Sequence, residues 1–185
     1  MSVERQLLFI QGGGKGAHDQ WDNRLVDSLQ RELGNGYQIH YPRMPHEESP
    51  SYASWQKPLE QAIQGLPDDS IVVAHSIGAT LLVQWLSEQA PTPRLAGVYL
   101  ISAPFVGTGG WPNPEFEFPA KLSLQLAEGV PLHLFHGLKD ETAPPSHLAL
   151  YARAIPRAHS HRLPERDHQL NDDLSEVAAQ ILRGS

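Results

Sequence analysis

Six short runs of apolar and β-branched residues punctuate the chain: Leu7–Gln11, Tyr37–Tyr41, Ile71–Ala74, Gly97–Ser102, Leu132–His136 and His159–Leu163. Each has strand length and strand composition. Between them the apolar spacing changes to that of a helix. Trp21, Leu25, Leu29 and Leu33 recur every four residues and stop at Gly34-Asn35-Gly36, a helix-ending signal. Leu81, Leu82, Val83, Trp85 and Leu86 make an apolar helix just after the third run. Leu148, Tyr151, Ala152 and Ile155 follow a Pro144-Pro145 start. Leu174, Val177, Ala178, Ile181 and Leu182 repeat the helical spacing, with Asp173 and Glu176 positioned as a capping box. Strand alternating with helix predicts a mostly parallel sheet covered on both faces. Right-handed crossovers then restrict the topology to a doubly wound arrangement. There is no repeat, low-complexity tract or linker, so a single α/β domain over residues 1–185 is expected.

Composition narrows the chemistry. Among 185 residues, 14 are Lys or Arg and 21 are Asp or Glu, a net charge of −7 with His neutral. That balance argues against nucleic acid as a partner, because phosphate contacts need clustered cations. The aliphatic runs fall far short of the roughly 20 residues that span a bilayer. The MSVERQ start lacks the cationic and apolar regions of a signal peptide, so no membrane association and a cytoplasmic location are expected. No cysteine occurs, which excludes disulfides, a thiol nucleophile and thiolate metal sites. Oligomeric state is not legible.

The most informative segment is Ile71-Val72-Val73-Ala74-His75-Ser76-Ile77-Gly78-Ala79. A buried strand runs into a Ser flanked two residues away on each side by small residues, and an apolar helix follows. A nucleophile on a tight strand-to-helix turn needs those small neighbours, because the backbones pack too closely for larger ones. The alternative is that Ser76 merely caps the helix. A Ser hydroxyl also needs a base, and the base an orienting acid. His136-Gly137-Leu138-Lys139-Asp140 ends the fifth run with a carboxylate, and Arg166-Asp167-His168 follows the sixth with a loop histidine. Ser, acid and His thus occur in the order expected of such sites, each just after a strand.

These three segments resemble those of an α/β-hydrolase, and the brevity of the chain is similar to the small serine hydrolases grouped with the retinoblastoma-binding protein. The resemblance runs from the Gln11-Gly12-Gly13-Gly14 turn to the last helix. It implies Ser76 as nucleophile, Asp140 as acid, His168 as base and strand order 2-1-3-4-5-6. Gly pairs often precede the family's His, whereas Arg166-Asp167 stands here. In this reading the glycine loop after the first strand supplies one oxyanion-hole N–H from Gly13, with Gly14 as the neighbouring candidate, and Ile77 supplies the other. No metal and no organic cofactor are required.

Rival assignments attach to the same residues. Glu141 is an alternative acid. His75, His133, His159 and His161 read as packing residues; His159 and His161 could bind zinc, but no third ligand is evident. Gly12 to Ala17 also matches a dinucleotide loop, yet the second strand runs out through Tyr41-Pro42-Arg43 with no acidic partner for a ribose. Trp111 and Phe116, in an irregular aromatic-rich stretch, are expected to line a substrate pocket; Ser51–Trp55 is a further candidate edge, with Trp55 alternatively a core anchor. The expected function is hydrolysis of a small ester or related acyl substrate through an acyl-enzyme. The competing function is a non-catalytic binding protein built on the same fold.

Overall fold

All six apolar runs become strands of one sheet. In the computed structural model, which describes residues 4–184, the strands are β1 (Arg5–Ile10), β2 (Tyr37–His40), β3 (Ile71–His75), β4 (Gly97–Ile101), β5 (Leu132–Gly137) and β6 (His159–Leu163). They pair in parallel in the order β2-β1-β3-β4-β5-β6. β3 and β4 are buried at every position, which is why their sequences run apolar without alternating. β6 lies at an edge and has no fully buried residue. There His133 and His161 lie in ring contact, with Nδ1 of the first 2.8 Å from Nε2 of the second.

Five α-helices among the described residues cover the sheet: α1 (Asn23–Leu33), α2 (Tyr52–Gln64), α3 (Ser76–Glu88), α4 (Ser146–Ala154) and α5 (Ser175–Arg183). On one face Leu25 and Leu29 of α1 and Val177 and Ile181 of α5 join Phe9, Val73, Ile101 and Phe135. On the other, Trp55, Leu59, Leu82, Trp85 and Tyr151 join Ile10, Val72, Leu100 and Leu134. No helix among the described residues is long and apolar enough to cross a membrane.

The structure corrects the sequence expectations in four places. A π-helical turn, Ala17–Asp22, precedes α1. Its wider spacing admits an extra residue, so Asp22 rather than Trp21 continues the buried stripe, and Trp21 is 49% exposed. Ser51–Trp55 does not edge the pocket but begins α2, with Trp55 anchored in the core and Ser51 Oγ capping the helix by accepting the Ser54 N–H at 3.2 Å. Pro58 inside that helix disguises it in the sequence. The expected capping box of Asp173 and Glu176 does not form. α5 begins at Ser175, Asp173 accepts the Ser175 N–H at 2.9 Å, and Glu176 is drawn to Arg166. Leu182, expected on the buried stripe of α5, is 49% exposed.

Trp55 and Trp85 are both fully buried, but only Trp55 uses its indole N–H, donating to the Pro45 carbonyl at 2.7 Å. Trp85 Nε1 has no partner among the described residues. Replacing either by Phe removes a similar volume, while only Trp55→Phe breaks a hydrogen bond, to the half-buried Pro45 carbonyl. Trp55→Phe is therefore expected to cost about 1–2 kcal/mol more than Trp85→Phe. Urea unfolding midpoints of the two variants measure the difference.

Candidate active site

The site is assembled where β3 meets α3. Ser76 is the first residue of α3, not its cap, and has φ 52°. The left-handed region costs a non-glycine residue about 1–2 kcal/mol, so the turn is held by its surroundings. Gly78 shows what holds it: a Cβ there would lie 1.9 Å from the Gln11 carbonyl oxygen. Only glycine permits α3 to press this closely against the end of β1. The Ala at position 74, two residues before Ser76, is fully buried without conflict.

Ser76 Oγ lies 2.9 Å from His168 Nε2, and His168 Nδ1 lies 2.8 Å from Asp140 Oδ2. Asp140 Oδ1 accepts the N–H groups of Thr142 and Ala143 at 2.9 and 2.8 Å. His136 Nε2 stands 3.2 Å from Asp140 Oδ2. Burial works to raise the Asp140 pKa, but the hydrogen bonds from His136, His168 and Ala143 hold it well below the usual carboxylate range. Burial lowers the His168 pKa; Asp140 opposes this and His75 adds to it. Glu141, the alternative acid, is exposed and makes no contact with His168.

Backbone contacts hold the Asp140 and His168 loops together. A Cβ on Gly137 would meet the Arg166 carbonyl oxygen at 2.1 Å, so glycine is needed where the two loops cross. There the Leu138 and Lys139 N–H groups donate to Leu163 and Arg166, both at 2.9 Å. Arg166 then ties the base loop to α5, donating to Asp173 at 2.8 Å and to Glu176 at 2.9 Å. Leu170, Asn171 and Asp172 all have positive φ, from 48° to 58°. Asp167 stabilises this turn by accepting the Gln169 and Asn171 N–H groups at 3.0 and 2.8 Å.

The glycine loop is braced by residues the sequence reading missed. Gly12 N–H donates to Asp22 Oδ2 at 2.6 Å. Gly14 N–H donates to the Glu47 carbonyl at 2.6 Å, which removes Gly14 as an oxyanion donor. The Glu47 carboxylate accepts from Gly16 N–H, His18 N–H and the Gln11 side chain at 3.1, 3.0 and 2.9 Å. With these amides committed to carboxylates and a carbonyl, the loop does not pool them for a pyrophosphate. Gly13 lies against Ile77, and no acceptor among the described residues meets its N–H. Ile77 is in the first turn of α3, where an N–H has no intrahelical partner. Beneath the elbow, His75 Nδ1 lies 3.0 Å from Asp22 Oδ2. Asp22 carries no recognisable motif. His75 was legible only as a residue next to Ser76.

These groups face a cavity of about 360 Å³ whose lining includes Gly13, Trp21, Pro50, Ser76, Ile77, Trp111, Thr142 and His168. Trp111 is fixed there by its own backbone, donating N–H to the Phe105 carbonyl at 2.8 Å, and lies edge-on to His147. Phe116 is not on the cavity wall. The Phe118 N–H donates to the Val106 carbonyl, which draws this stretch onto the core, and Phe116 packs edge-on against Phe118 at 5.0 Å. Trp21, expected inside the protein, stands at the cavity instead.

The model of the serine hydrolase family matches residues 7–172. No curated protein sequence matches significantly. Several solved structures share the fold. The ydeN gene product from B. subtilis has a TM-score of 0.74 at 19% identity, with 97% of this chain and 98% of that chain covered. Alpha/beta hydrolase domain-containing protein 10 from mouse has a TM-score of 0.71 at 16% identity, with 99% and 90% covered. The esterase RhEst1 from Rhodococcus sp. ECU1013 has a TM-score of 0.68 at 13% identity, with 99% and 90% covered.

Glu47 generates a prediction of its own. Burial works to raise its pKa, but the amides of His18 and Gly16 and the Gln11 side chain lower it below the ordinary 4.5. The folded value being depressed, its stabilisation is present above pH 4.5 and is lost as pH falls through the lower folded value. Glu47→Gln is expected to cost about 2 kcal/mol at pH 7, with the gap to the parent shrinking towards pH 3. Urea midpoints at both pH values test this.

Proposed function

Because the chain belongs to the serine hydrolase family, we propose that it cleaves a small ester or related acyl compound through Ser76, His168 and Asp140, by way of an acyl-enzyme. The observation that carries this reading is the unbroken hydrogen-bond chain from Ser76 Oγ through both His168 nitrogens to a buried Asp140. It opens onto a cavity large enough for a small acyl group.

In this mechanism Ser76 Oγ attacks the carbonyl carbon as its proton passes to His168 Nε2. Asp140 stays ionised, accepts the Nδ1–H and stabilises the imidazolium. The carbonyl electron pair moves to oxygen, and the resulting oxyanion accepts hydrogen bonds from the Gly13 and Ile77 amides. Collapse of this intermediate expels the leaving alkoxide, which takes the proton from His168. Water then loses a proton to His168, attacks the acyl-serine and releases the acid, and the proton returns to Ser76. The chain's own side chains and water account for every proton and electron pair.

A fluorophosphonate probe is expected to label the protein, and labelling should vanish in Ser76→Ala. That variant's kcat/KM on nitrophenyl esters should fall by roughly 10⁴- to 10⁶-fold. Equal labelling of a folded Ser76→Ala protein overturns the nucleophile.

The pH profile tests the base. A histidine acting as base is active when unprotonated, so kcat/KM should rise with pH. Burial puts the midpoint below the ordinary 6.5. A rate series from pH 4 to 8 measures it, and a midpoint above 6.5 contradicts the assignment.

A further inference from the structure

A second acid–histidine pair lies directly behind the first. The Asp22 and His75 side chains are only 1% and 2% exposed. His75 Nδ1 lies 3.0 Å from Asp22 Oδ2, and His75 Nε2 lies 3.0 Å from the main-chain carbonyl oxygen of His168. Asp22 Oδ2 also accepts the Gly12 N–H, and Oδ1 accepts from Gln169 at 3.3 Å. Both carboxylate oxygens therefore act as acceptors, as in an ionised Asp. An ionised Asp22 and a peptide carbonyl have no proton to give, so in this arrangement each ring nitrogen of His75 carries one. The pair then reads as a buried ion pair with His75 as an imidazolium.

This pair reaches the surroundings of the proposed nucleophile, base and oxyanion loop. His75 precedes the nucleophile in the chain, and its ring holds the backbone of the base. Its counter-ion holds Gly12, next to the Gly13 amide. We propose that Asp22 and His75 are positioning residues of the site, an ion pair that ties the base loop, the elbow and the oxyanion loop into one rigid unit. The inference rests on the triad reading above and adds to it a structural cation that never meets the substrate.

The position of that cation has a second effect. The His75 and His168 rings are 5.0 Å apart between centroids. A like charge at this distance disfavours a further proton on His168. The charged and titratable groups facing His168 are Asp140 and His136 from the β5 end and His75 from the β3 end, together with the Ser76 hydroxyl. Those facing His75 are Asp22 from the π-helical turn, His168 and Asp140. Burial and the His75 charge together outweigh the pull of Asp140, so His168 gives up its proton below the ordinary histidine range.

The test reads the His168 ring by NMR in the full-length protein, alongside ester hydrolysis. In the parent, His75 should keep two ring N–H protons above the ordinary histidine midpoint of about 6.5; a single one there overturns the proposal. In His75→Gln the His168 midpoint should rise by about one pH unit. kcat should fall by about 10²-fold, as for a misplaced catalytic group, with KM little changed. That variant leaves Asp22 buried without its cation and can fail to fold. The Asp22→Asn/His75→Gln double variant replaces the ion pair by two complementary amides, and its His168 midpoint should rise as well. A midpoint and kcat equal to the parent's in a folded variant, with only Tm lowered, reduce the pair to packing and overturn the proposal. A parent inert to esters and to the probe sinks the triad reading, and the His168 midpoints still decide whether the pair acts on that ring.

Discussion

The close approach of α3 to the end of β1 is the constraint from which the site follows. At Gly78 there is no room for a methyl group before the Gln11 carbonyl. Held this close, the turn bends through a left-handed serine. The same approach sets Gly13 against Ile77, so the two amides assigned to the oxyanion share one wall of the cavity. The strained residue costs about 1–2 kcal/mol. Burying a single side chain such as Leu82 contributes about as much, and α3 buries Leu82, Val83, Trp85 and Leu86 together. The helix that demands the strain also outweighs it.

A second crossing of backbones governs the residues proposed as acid and base. Asp140 and His168 come from different loops, yet their separation is not left to side-chain chance. Gly137 passes against Arg166, main-chain bonds join the loops on either side, and the Arg166 guanidinium fastens the base loop to α5. The sequence reading assigned Asp173 and Glu176 to a helix cap. Their use as partners of Arg166 gives the arginine two residues before the histidine a structural role.

Features that depend on local pattern were legible, and those that depend on packing between distant segments were not. Continuous apolar runs marked β3 and β4 because buried parallel strands have no polar face. The Ser76, Asp140 and His168 positions were visible because each follows a strand. α2 escaped notice because Pro58 interrupts a stripe of Trp55, Leu59 and Ile63 that otherwise has helical spacing. Trp21 was misplaced because a π-helical turn is invisible in a four-residue repeat. Phe116 was drawn to the core by a main-chain bond that no side-chain pattern announces. Asp22 lies 53 residues from its partner His75, and nothing in either neighbourhood signals the other.

The strand order gives the chain a timetable. β1 is made first, but its interior position between β2 and β3 requires β3, which is synthesised some 60 residues later. Only that long-range pairing brings the glycine loop beside the elbow, and such non-local closures are the slow steps of folding. The histidine assigned as base arrives last, from the loop after an edge strand. A nascent chain therefore holds the serine long before it holds anything to activate it. Reactivity towards an acyl probe, once established, would report on completion of the whole sheet and not on its early core.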